Sequence, residues 1–394
     1  MSSRRAPGRV RHWLQAGFVS LAALLALLPL LAQLAGFNGW RAGENRAQAP
    51  MPAVPRDLAG LRAWPRVADA AVNDRFGLRT QLVSLHDQVL FRLFGAFTSP
   101  LILAGPGGRL FLAGDGANSL IRFACGRGLA DEMVPRLAMQ AETVLRRLQQ
   151  RVQRVDLLLA PSAQVLYPAE LPRLMQQDCA AGKPVARQVM DRLRPAWRQR
   201  AFYPVAQLAA LGPPGPAIPR RFLHWDGVGA GRAVGAWAEE MHHLQPWQEV
   251  PAAWHWRPSD LSGFFPGLRL GAMALEPAAE WPGVEQCLGW PCFPGFADIA
   301  GVLVDVRRFR AARPAAGRLL LLSDSFGAAA APWLLRYYGE VWQLTLNHMD
   351  QLAPEQRRRL AQALLEAYAP DQVLLVMMDA SMRLTLPRLL SLLE

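Results

Sequence analysis

Ser325 stands in the run Ser323-Asp324-Ser325-Phe326-Gly327, behind Leu319 to Leu322 and ahead of Ala328 to Ala331. Four leucines predict a buried strand, and the alanines predict a helix that starts just past the serine. A strand that delivers a serine to a helix start can carry an acyl nucleophile. The N–H groups of the first helical turn lack intrahelical partners and can face a developing oxyanion. The same residues also suit an ordinary cap, because Ser and Asp oxygens accept from those N–H groups. The local pattern leaves both roles open. A nucleophilic serine needs a base within hydrogen-bond reach, and the base needs an orienting acceptor. Among the 7 histidines, His224 stands apart because Trp225 and Asp226 follow it at a helix start. His12 falls in the N-terminal apolar region and His86 on a helix. His242 and His243 fall at a helix end, His255 between two tryptophans, and His348 after a strand.

The elements that must position these residues follow from the apolar pattern. Strands are expected at 155–160, 319–323, 341–346 and 373–378, and helices at 131–154, 328–339 and 354–368. Alternation of this kind implies a parallel sheet covered on both faces, with its site at the strands' C-terminal ends. Ser162, Ser325, Asn347 and Asp379 all fall at or just past such ends. Asn347 is a candidate oxyanion donor, with a turn residue as the alternative. Tyr167 is a candidate lining residue, with packing as the alternative. Helical spacing also marks 67–98, 184–209 and 228–244, and a hairpin is expected around Gly105 to Gly108. A Pro/Gly loop runs from Gly212 to Pro219. Residues 245–300 read as a loop-rich insertion of loops and short strands, whose Trp254, Trp256, Trp281 and Trp290 suit packing more than sugar stacking.

At 394 residues and 52% hydrophobic, the chain can bury a large core. The formal charge is +12, but Lys183 is the single lysine and the arginines are scattered. No nucleic-acid motif accompanies them, so nucleic acid is not an expected partner. Arg4, Arg5, Arg9 and Arg11 precede an uncharged run from Trp13 to Phe37. That run is long enough to span a bilayer, with the arginine end in the cytoplasm. The expected organisation is a basic tail over 1–12, an uncleaved signal anchor over 13–37, an extended linker over 38–66 and one domain over 67–394. Ala47-Gln48-Ala49 resembles a cleavage site but sits far past the apolar run. The 4 cysteines suit an oxidising compartment. Cys287 and Cys292 could close a local disulfide, which leaves Cys125 and Cys179 as the other pair. No metal site is expected.

Several short motifs occur in a fixed order: Glu44-Asn45-Arg46, Asn73-Asp74-Arg75-Phe76-Gly77-Leu78-Arg79, Gly107-Gly108-Arg109-Leu110-Phe111, Pro161 with Tyr167-Pro168, His224-Trp225 and Asp324-Ser325-Phe326-Gly327. Together they resemble the AlgJ/AlgX-like family of periplasmic polysaccharide O-acetyltransferases. The resemblance implies an SGNH-hydrolase-like three-layer α/β/α sandwich behind an N-terminal transmembrane helix. It implies Ser325 as nucleophile and His224 as base, working without a cofactor. It further implies a polysaccharide acceptor, a membrane-bound O-acyltransferase that supplies acetyl groups, and residence at a bacterial inner membrane with the domain in the periplasm. The family's aspartate belongs two residues before the histidine, where this chain has Phe222. Three readings follow: a Ser–His dyad, Asp226 as substitute acid, or a degenerate scaffold that binds polysaccharide. A carbohydrate acetylesterase using the same residues is a further alternative.

Overall fold

The four leucines at 319–322 do lie in a strand, buried on both faces at the centre of a seven-stranded sheet. The computed structural model describes residues 7–35, 49–114, 119–211, 216–245, 252–265, 267–277, 283–303, 305–311 and 317–394. The strands in chain order are β1 (Ile102–Ala104), β2 (Leu110–Leu112), β3 (Arg154–Ala160), β4 (Ala201–Phe202), β5 (Ala252–Pro258), β6 (Gly271–Pro277), β7 (Val284–Leu288), β8 (Val306–Ala311), β9 (Arg318–Ser323), β10 (Glu340–Thr345) and β11 (Gln372–Met378). The main sheet runs β4-β3-β11-β9-β10-β8-β7. From β4 to β10 all neighbours are parallel. The last two strands, β8 and β7, are antiparallel. The fold is therefore mixed α/β with a mostly parallel sheet, rather than the purely parallel one expected.

The central strands carry near-continuous apolar runs because helices or other elements cover both faces. All of β11 and all of β3 beyond Arg154 are buried. The amphipathic helix Met133–Gln149 packs on β3 and on the helix Met382–Leu392. The helix Gly227–His242 packs on the helix Gly327–Leu334, which rests on β9 and β10. Full burial of each core leucine contributes about 1.5–3 kcal/mol, so four in a row make β9 a firm platform for the turn that follows it.

The short strands of residues 245–300 are an antiparallel pair, β5 with β6, in unbroken register from Ala252 against Pro277 to Pro258 against Gly271, and β7, which joins the main sheet. Several other expectations need correction. Residues 184–209 form three short helices around β4 rather than continuous helix. Trp254, Trp256 and Trp290 are partly exposed rather than buried. The helix Leu58–Arg75 starts inside the expected linker, because Asp57 caps it by accepting from Gly60 N–H at 2.6 Å. A second helix, Arg79–Phe94, follows Leu78, whose φ of 61° breaks the expected 67–98 helix in two. Glu44-Asn45-Arg46, Ala47-Gln48, the linker before residue 49, residues 212–215 of the Pro/Gly loop and Trp281 lie outside the described residues.

The chain forms two units, residues 1–99 with 262–269, and residues 100–261 with 270–394. The first contains the N-terminal helix Pro7–Leu34, in which Gln15–Leu34 is long and apolar enough to cross a membrane. The second contains both disulfides, Cys125–Cys179 and Cys287–Cys292.

Candidate active site

Ser325 occupies the sharp turn between β9 and the helix Gly327–Leu334, and Asp324 holds that turn from below. Asp324 N–H donates to Val376 O at 3.0 Å. Its Oδ1 accepts from Phe326 N–H at 2.9 Å, and its Oδ2 accepts from Met378 N–H at 2.7 Å and from the Ser381 hydroxyl. Burial pushes this carboxyl up, while Ser381, the two N–H donors and nearby His224 pull it down. Gly327 is required here, because a Cβ would collide with the Ser323 side chain. Asp324 is thus a turn residue, and it leaves the Ser325 side chain for other work.

The Ser325 hydroxyl lies 2.7 Å from His224 Nε2, and His224 Nδ1 lies 2.6 Å from Asp260 Oδ2. Asp260 also accepts from the backbone N–H of Leu223 at 2.8 Å and of His224 at 2.9 Å. One carboxylate therefore fixes both the imidazole and the chain that carries it. The imidazole packs against Phe326 at 4.8 Å, and Trp225 Nε1 donates to Phe326 O at 2.9 Å. These contacts join the histidine segment to the serine turn. An Asp–His–Ser line with these spacings can deprotonate the hydroxyl and stabilise the resulting imidazolium.

Asp226, weighed from sequence as the substitute acid, does not occupy that place. Its Oδ1 accepts from Val228 N–H at 3.0 Å and Gly229 N–H at 3.2 Å, so it caps the helix that begins at Gly227. Burial pushes its carboxyl up to about 6 against the opposing pull of these N–H groups. Phe222 is buried in the core. The acid at His224 lies 36 residues further along, just after β5 in the insertion. No spacing rule points to it. Its loop is braced by Ser259, which donates to Arg221 O and accepts from Leu261 N–H at 3.1 Å.

Tyr167 belongs to a clamp rather than to the triad. Its hydroxyl accepts from Ile218 N–H at 3.3 Å, and the Arg109 guanidinium lies over its ring at 3.7 Å. Arg109, 1% exposed, donates to Ile218 O at 2.8 Å and pairs with Glu170 at 3.3 Å. Burial lowers its pKa, and Glu170 partly offsets that. Leu110 N–H adds a bond to Arg220 O at 2.7 Å. Thus the hairpin β1–β2 grips residues 218–220, just ahead of His224. Asn347 lies two residues past Thr345, as Ser325 lies two past Ser323, and Thr345 and Ser323 are register partners. Asp379 is withdrawn from this edge. It accepts from Ser162 N–H at 3.1 Å and Tyr203 OH at 2.6 Å, and burial pushes it up to about 6.

No protein-family model matches the chain, and no curated protein sequence does. Several solved structures are similar to it. A DHHW family protein from Eubacterium siraeum is 16% identical, with 72% of this chain and 95% of that chain covered and a TM-score of 0.46. Bacillus cereus PatB1 with a sulfonyl adduct is 13% identical, with 71% and 97% covered and a TM-score of 0.46. The O-acetyltransferase domain of Pseudomonas putida AlgJ is 17% identical, with 73% and 93% covered and a TM-score of 0.39. The structures similar to this chain thus include a member of the group that its ordered motifs resemble.

Proposed function

We propose that this chain moves an acetyl group onto a hydroxyl of a bacterial polysaccharide through an acetyl-Ser325 intermediate. The observation that carries the proposal is the hydrogen-bonded line Asp260–His224–Ser325. In the first half-reaction His224 Nε2 takes the Ser325 proton as Oγ bonds to the acetyl carbonyl carbon. The tetrahedral adduct collapses, and the leaving group departs with the proton held by His224. In the second, a sugar hydroxyl gives its proton to His224 and attacks the acetyl-serine, and Ser325 leaves with that proton. Asp260 keeps Nδ1–H directed and stabilises the imidazolium in both halves. Phe326 N–H and Gly327 N–H are engaged by Asp324, so the Ser325 N–H serves the oxyanion, with Asn347 as a second donor from the next strand end.

In this proposal the domain is an SGNH-like three-layer sandwich in the periplasm. Residues 13–37 hold it at the inner membrane, and a membrane-bound O-acyltransferase supplies acetyl groups from the other side. Asp260 at the imidazole favours an enzyme over a scaffold, because the scaffold reading drew its support from Phe222. A hydrolase would use the same residues with water as the acceptor. The test is incubation of the full-length protein in non-ionic detergent with a chromogenic acetyl ester. Turnover and an acetylated Ser325 peptide by mass spectrometry are expected, and Ser325→Ala should abolish both. Absence of turnover and of acyl-serine would overturn the enzyme reading. Added oligosaccharides should become acetylated; release of acetate alone with every acceptor would make the protein an esterase.

A further inference from the structure

The helices Leu58–Arg75 and Arg79–Phe94 present apolar side chains that none of the described residues of their own unit covers. In the second helix Leu82, Leu85, Val89 and Leu93 recur at offsets of 3, 4 and 4 residues, the spacing of one helix face, and each is exposed, Leu93 to 70%. The other side of that helix is engaged. Asp87 accepts from the Thr98 hydroxyl at 2.7 Å, Phe91 packs on Phe97 at 5.3 Å, and Gly267 lies against Ser84. In the first helix Leu58, Leu61, Trp64 and Val72 are exposed. Arg62, Arg66, Asp69 and Asn73 share the adjoining face at offsets of 4, 3 and 4.

The turn that joins the two helices gives this surface a depth. Gly77 packs so closely on the N-terminal helix that a Cβ there would collide with Pro29 O and Gln33 N. Those atoms belong to the apolar stretch Gln15–Leu34. At about 1.5 Å per residue, Pro29 lies roughly 7 Å inside the end of that stretch. A turn seated at that level carries its two helices to the boundary between headgroups and acyl chains. Arg62, Arg66 and Arg92, all exposed, flank the apolar faces as cations do at a phosphate layer.

We propose that the helical pair lies in the membrane interface, with Leu82, Leu85, Val89 and Leu93 among lipid acyl chains and Arg62 and Arg66 turned toward headgroups and water. The inference rests on 13–37 being a membrane anchor. The test is a set of single-cysteine variants of the full chain, Leu85→Cys, Leu93→Cys, Arg66→Cys and Leu25→Cys. Each carries an environment-sensitive fluorophore and is reconstituted in phosphatidylcholine/phosphatidylglycerol vesicles. Quenching by doxyl-labelled lipid should be several-fold stronger at 85 and 93 than at 66, and quenching by aqueous iodide several-fold weaker. If 25 responds to the lipid quencher while 85 and 93 respond to iodide as 66 does, this inference fails and the anchor stands. If 25 also fails to respond to lipid, the anchor itself is wrong. Shielding of 85 and 93 from both quenchers would assign the stripe to a protein partner and overturn the lipid assignment.

Discussion

At the scale of single residues, two aspartates near His224 divide the work, and they can be told apart by experiment. Asp260→Asn leaves His224 in place but supports the wrong tautomer. The comparable loss in a serine triad is about 10⁴ in rate, so ester turnover should fall by about 10²–10⁴ in kcat with little change in KM. Asp226→Asn should leave kcat near the parent value, because Asp226 bonds the helix start and not the imidazole. Its effect belongs to stability. The folded-state pKa of about 6 exceeds the ordinary aspartate value of about 3.9. The native state therefore keeps a proton that the unfolded chain has released, and this group's contribution falls as pH rises from about 4 to about 6. Asp226→Asn keeps an acceptor oxygen and cannot ionise. Its denaturation midpoint should exceed the parent's at pH 7, and the two should converge near pH 4. Ser325 and His224 were legible in the sequence because each sits at a helix start in a short ordered motif. Asp260 was not, because it reaches His224 from a loop folded back across 36 residues, and its neighbours carry no periodic pattern.

At the scale of elements, the hairpin β1–β2 holds the segment that leads to His224. Buried Arg109 holds the carbonyl of Ile218, and Tyr167 holds its N–H, which sets the path of the chain into His224. Arg109→Met would leave Ile218 O unpaired and Glu170 with one fewer cation. An unsatisfied buried acceptor costs about 1–3 kcal/mol, so a drop of that size in unfolding free energy is expected by denaturant titration. A fall in kcat with KM nearly unchanged should accompany it, and Arg109→Lys should recover part of the kcat. The same scale explains what could be read in advance. The parallel strands β3, β9, β10 and β11 are dominated by apolar residues, and their positions were expected to within a residue or two. The antiparallel edge was not foreseen, because β8 contains Arg307, Arg308 and Arg310. Short strands were expected in 245–300, but not the bounds or pairing of β5 and β6, since every residue of β5 is exposed and no alternation marks it.

At the scale of the whole molecule, the two disulfides differ in what they constrain. Cys125–Cys179 closes 54 residues of chain and Cys287–Cys292 closes 5. In the chain-entropy account the longer loop contributes about 4 kcal/mol and the shorter about 2 kcal/mol, so the Cys125→Ala/Cys179→Ala variant should lose about twice as much unfolding free energy as Cys287→Ala/Cys292→Ala. The division of the chain has a practical consequence too. The loop from β5 to β6 carries Asp260 near its start, but its residues 262–269 pack in the N-terminal unit, where Phe265 meets Phe97 at 4.6 Å. A soluble fragment trimmed at Ser99 would look like a tidy domain and would strip that loop of its neighbours. Such a fragment should keep Ser325 and His224 yet turn over ester poorly, whereas one trimmed near residue 49 should not. Poor turnover in the shorter fragment would then report a badly chosen cut rather than an inert protein.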